Sequence, residues 1–76
     1  MFTNDMAHDP ALLAHADSEL ARAISLASMG HHATASRTLH YAARAYREAG
    51  QTAYSARIQG WAIDHLLIAN RAGRAD

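Results

Sequence analysis

The sequence predicts an all-α domain of three antiparallel helices joined by short turns. Three observations predict it. Gly30 and Gly50 stand 20 residues apart and divide the chain into three helix-length pieces. Within each piece apolar residues recur at steps of three and four, which is the helical period. The 76 residues include one proline, at position 10, and no cysteine. Nothing therefore breaks the helices internally, and no disulfide framework, thiolate metal site or cysteine nucleophile is available.

Residues 1–8 show no periodicity and are expected to form a flexible arm. Asp9-Pro10 reads as a helix start, with Asp9 as cap and Pro10 at the first helical position. The first helix then runs to about Met29, with an inner stripe of Leu13, Ala16, Leu20, Ile24 and Ala27. Gly30 can take the left-handed conformation that closes a helix. The second helix spans roughly His32 to Ala49 and sorts into two faces. Ala35, Leu39, Ala42, Tyr46 and Ala49 make a small-residue apolar stripe, and Arg37, His40, Arg44 and Arg47 make a basic one beside Tyr41. Arg44 and Arg47 suit the C-terminal end of the helix dipole.

The third helix is expected to start near Thr52, as cap, and to end near Asn70, with Arg71 and Gly73 as stop signals. Its stripe is Tyr54, Ile58, Trp61, His65 and Ile68, but Ala62, Ile63, Leu66, Leu67 and Ala69 are apolar as well. A helix apolar on most sides must be covered on more than one face. The expectation is that it sits centrally or that its outer face meets another chain. Ile58, Trp61 and Ala62 are assigned inward, Ile63 and Leu67 outward. Gly60 is expected to allow close packing beside Trp61. The domain is taken as residues 9–73, followed by a short tail, 74–76.

A chain this short forms one domain, which buries about 60% of its unfolded surface and is marginal alone. Its formal net charge is zero. The charge is unevenly placed, however. Residues 1–20 carry four carboxylates and no arginine, whereas residues 21–63 carry five arginines against Glu48. All the basic residues are Arg, which suits bidentate recognition of carboxylate and phosphate. The N-terminus lacks the basic and apolar regions of a signal peptide. The apolar run Leu66 to Ala69 is far short of a membrane span. A cytoplasmic protein is expected.

A faint repeat aligns Gly30, Ala33, Arg37, Tyr41 and Ala42 with Gly50, Ala53, Arg57, Trp61 and Ala62. Repeats of this kind build stacked helical hairpins. Gly30, Ala35, Leu39 and Ala42, preceded by Ala23 and Leu26, resemble part of a tetratricopeptide-type repeat over about half the chain. Glu19, Arg22 and Arg47 depart from its pattern. The resemblance implies a helical hairpin that binds a peptide or protein.

Chemistry-bearing patterns are sparse. His15 and Glu19 are four apart, His31 and His32 lie near the first turn, and His40 follows eight residues after His32. None makes the three or four converging ligands of a zinc site, so no metal or other cofactor is expected. Six histidines imply charge gain below about pH 6. Asp64 and His65 point about 100° apart on a helix, the serines lack a matched base, and no glycine pair forms a phosphate loop. No catalytic residue is assigned. The Arg37–His40–Tyr41–Arg44–Arg47 face fits an acidic protein patch, or, as the alternative, a nucleic-acid backbone. Neither glycine turn has the residues of a DNA-reading helix-turn-helix. Ile63, Leu66 and Leu67 form an apolar face suited to a partner or to a second copy. The expected function is a small protein-interaction module, an adaptor, inhibitor or regulator of a larger protein, acting by helix-face docking and self-associating as a dimer. Small inhibitors carried by phages and plasmids offer a class-level analogy. No membrane partner is expected.

Overall fold

The computed structural model describes residues 10–71. They form α1 (Pro10–Ser28), α2 (His32–Glu48) and α3 (Thr52–Arg71), with no strand among the described residues. The expected arm, the Asp9 cap, Gly73 and the C-terminal tail lie outside them.

The helix ends follow from local backbone chemistry. Gly30 and Gly50 take φ values of +86° and +90°. Behind each, two amides turn back onto carbonyls of the helix just ended. The Gly30 amide donates to Ala27 and that of His31 to Leu26; the Gly50 amide donates to Arg47 and that of Gln51 to Tyr46. Both ends are Schellman motifs, which need a residue in the left-handed region and so favour glycine. The start of α3 departs from expectation. Thr52 is already helical, and the Ser55 amide donates to the carbonyl of Gln51, one residue earlier.

The central element is α2. It packs against both neighbours, while α1 and α3 hardly touch. Nine of its residues are buried, against two in α1 and four in α3. Of the two arrangements expected for the third helix, a central place or an outer face left for another chain, the first does not occur. The reason is side-chain size. A helix held between two others must offer small surface on two flanks, and α2 does so with Ala35, Ser36, Ala42, Ala43 and Ala45, all buried. On one flank, Ser36 Oγ donates to the carbonyl of Ala62 at 2.7 Å, and Ser55 Oγ donates to that of Ala43 at 2.6 Å. Each helix thus lends the other one hydroxyl, whose buried polarity is satisfied by a carbonyl's second lone pair. Residue numbers along α2 rise as those of their α3 partners fall, so α3 runs back along α2.

The core is built largely of alanine. Among the described residues Ile58 is the one large side chain that is fully buried, with Leu39 and Tyr46 nearly so. Fully burying a Leu or Ile contributes about 1.5–3 kcal/mol, and alanine offers far less area. Such a domain depends on close helix approach and on satisfied polar groups more than on bulk.

Candidate functional site

An apolar concavity lies between α1 and α3, across the face of α2. Leu39 forms its floor. Ala23, Ile24, Ala27 and Ser28 make the α1 wall, and Trp61 and His65 the α3 wall; its volume is about 510 Å³. Its shape follows from the fold. The outer helices stand apart on a central helix and both line the concavity above its buried Leu39. Two sequence expectations change here. Ile24, expected in the inner stripe of the first helix, is 57% exposed and stands at the rim. Trp61, expected inward, is 38% exposed. Ala23, one position off the expected stripe, takes the buried place in α1 instead. Ala16 stays buried and Leu13, Leu20 and Ala27 stay partly buried, so the stripe of α1 departs from expectation only at Ile24.

A line of polar-tipped rings continues along the groove. Trp61 meets Tyr54 edge to face at 6.4 Å between ring centroids, and Tyr54 meets Tyr46 in the same way at 4.8 Å. Offset, edge-on rings of this kind add to their area burial. The Tyr46 hydroxyl donates to the Asp17 carboxylate of α1. Burial first, and then that hydrogen bond to a carboxylate, push the Tyr46 phenol above its ordinary range. At the other end, His32 Nδ1 lies 3.0 Å from His65 Nδ1, with the rings stacked. Sequence spacing could not find this pair, because the partners are 33 residues apart. Among the described residues no three His, Asp or Glu side chains converge as a metal site.

The basic face lies on the other side of α2. Arg44 is five positions from Leu39, about 140° around the helix. Arg37, His40, Tyr41, Arg44 and Arg47 are all exposed. Arg37 Nη2 donates to Thr34 Oγ1 at 3.2 Å, and Arg44 Nε lies 3.6 Å from Glu48 Oε2. Such an exposed pair contributes little to stability. A shallower hollow joins Tyr41, Arg44, Ala45 and Glu48 to His15, Glu19 and Arg22 of α1. The structure therefore brings the His15–Glu19 pair beside the basic face, where Glu19 and Glu48 interrupt its positive charge.

On α3, Ile63, Leu66 and Leu67 are 54%, 44% and 52% exposed, and Ile68 is 38% exposed. The apolar face predicted there is exposed among the described residues. Gly60 lies on this open side. A Cβ built on it meets no atom within 4 Å, so the expected close packing beside Trp61 does not occur.

No protein-family description matches this chain, and neither a curated protein nor a solved structure shows significant similarity to it. Among the described residues no helix is long and apolar enough to cross a membrane.

Proposed function

We propose that this chain is a small cytoplasmic protein-interaction module, an adaptor, inhibitor or regulator, which takes an amphipathic helix of a partner protein into the groove between α1 and α3. The observation that carries the reading is the open apolar slot itself. Its floor, Leu39, is inaccessible, while Ile24 and Trp61 leave large apolar surface at both rims. A helix laid between them would bury that surface at side chains three and four apart. Trp is the residue most enriched where binding energy concentrates. The resemblance of Gly30, Ala35, Leu39 and Ala42 to tetratricopeptide-type hairpins adds a precedent for peptide capture. Arg37, Arg44 and Arg47, with His40 and Tyr41, offer a second surface for partner carboxylates. Ile63, Leu66 and Leu67 provide the surface for self-association as a homodimer.

The test uses Trp61, the only tryptophan in the chain. A library of amphipathic helical peptides is selected against the protein, and binders are titrated by Trp61 emission. The reading expects a blue shift on binding and its loss in Ile24→Glu, with the helical circular dichroism of that variant unchanged. No emission change with any selected peptide up to about 1 mM, the weak end of specific recognition, overturns it. The alternative, a nucleic-acid-associated regulator acting through the basic face, draws less support because Glu19 and Glu48 lie within that face. An Arg37→Ala, Arg44→Ala, Arg47→Ala variant that abolishes a salt-dependent nucleic-acid complex would favour it.

A further inference from the structure

The outer edge of α3 carries a heptad. Ala53, Ala56, Gly60, Ile63, Leu67 and Asn70 recur at alternating steps of three and four, and all are exposed. They lie opposite the buried line of Ser55, Ile58, Ala62 and Ala69 that meets α2. Alternating steps of three and four mark a two-helix seam. Among the described residues nothing accounts for it. The space over Gly60 is open, and Ile63 and Leu67 are about half exposed.

The seam is graded, small in its first half and large in its second. Two copies side by side in parallel would set Gly60 against Gly60 and Leu67 against Leu67, and the helices would splay. Two copies in antiparallel set Gly60 level with Ile63 of the second copy and Ala56 level with Leu67. Two-fold symmetry then repeats both layers in reverse. Every layer joins a small side chain to a large one, which allows close approach along the whole seam.

Charge selects the same arrangement. Arg57 and Asp64 lie seven apart on one flank of the seam. Among the described residues neither takes part in an ion pair. In the antiparallel register Arg57 falls within two residues of Asp64 of the second copy, and the contact occurs twice. In a parallel pair the same residues would face Thr52 and Gln59, with no opposite charge.

We infer that α3 is a dimerisation helix that pairs antiparallel with α3 of a second copy, in the register Gly60 with Ile63 and Ala56 with Leu67, flanked by two Arg57–Asp64 pairs. The inference rests on the self-association reading above and adds its geometry. Trp61 and His65 lie on the other edge of α3, so both grooves stay open. The dimer is a bivalent module with two equivalent slots, whose joint engagement raises avidity.

The cysteine-free chain lets single cysteines report the register. Ala56→Cys and Leu67→Cys chains are oxidised separately and as a mixture. The two copies of position 56 stand about 16 Å apart along the antiparallel pair, so neither chain should cross-link with itself. The mixture should yield a disulfide-linked dimer at least about tenfold above either chain alone. Arg57→Glu should weaken the dimer about tenfold, and Arg57→Glu with Asp64→Arg should restore it. A disulfide in Ala56→Cys alone means a parallel pair. A wild-type dimer with neither the mixed disulfide nor charge rescue means pairing elsewhere. Either result overturns the register and leaves self-association standing. A wild-type monomer by light scattering up to about 1 mM overturns both.

Discussion

His32 of α2 and His65 of α3 face each other Nδ1 to Nδ1 at 3.0 Å, with rings 10° from parallel and centroids 5.1 Å apart. One nitrogen must donate and the other accept, so the contact requires a proton on one ring Nδ1 and a lone pair on the other. It joins the first turn of α2 to the C-terminal half of α3, at the open end of the groove. A double-mutant cycle with His32→Ala and His65→Ala, read by urea unfolding, should give a coupling of about 0.5–1.5 kcal/mol. Nitrogen chemical shifts should report the two rings as different tautomers. Additive single effects would remove the hydrogen bond from the account.

Tyr46 ties α2 to α1 through Asp17, and its removal should be felt. Tyr46→Phe keeps the ring packing on Tyr54 and loses the hydroxyl. Asp17 is exposed and regains water, so the expected loss is about 1 kcal/mol. The pH dependence has a definite sign. The folded state holds the phenol above its ordinary value near 10, so it binds that proton more tightly than the unfolded chain. The stabilisation is therefore complete below about pH 10 and fades as pH rises beyond it. Unfolding at pH 8 and pH 11 should show a smaller loss for Tyr46→Phe than for wild type.

Two isoleucines on one helix should respond very differently. Ile58 is fully buried and Ile63 is 54% exposed. Ile58→Ala leaves a cavity in an alanine-rich core and should cost about 2–5 kcal/mol, enough to unfold much of so small a domain. Ile63→Ala should change the unfolding free energy of dilute protein by less than about 0.5 kcal/mol. Equal effects would mean that α3 is rotated from the orientation described.

The glycines offer a matched contrast. Neither Gly30 nor Gly60 has an atom within 4 Å of a built Cβ, so backbone conformation alone decides. Gly30 sits at positive φ, and Gly30→Ala should cost about 1–2 kcal/mol. Gly60 is helical, and Gly60→Ala should stabilise dilute protein by about 0.5–1 kcal/mol. Thermal melts of both variants below the dimerisation range check the opposite signs.

Three helices were legible from residues 10 to 71 alone, as was the place where each one turns. These are local matters. A period of three and four is set by neighbours on the same helix, and the ends at Gly30 and Gly50 are closed by the amides of each glycine and of the residue after it, which reach carbonyls three and five residues back. The exposed apolar face of Ile63, Leu66 and Leu67 was legible too, because α3 has more apolar sides than two neighbours can cover.

Which helix stands in the middle was not legible, nor was the groove. The apolar residues of α3 fall on several sides, and the pattern does not rank Ile58 over Trp61 or Ile63 as the one that meets α2. Ile24 and Ala23 are adjacent, and either could have phased α1. The choice is made by packing summed over a whole interface. The Ser36–Ala62, Ser55–Ala43 and Tyr46–Asp17 hydrogen bonds all form between helices, and each exists only once one arrangement has been taken. Small side chains on both flanks of α2 let two helices approach it closely, and that geometry put α2 at the centre and opened the slot between α1 and α3.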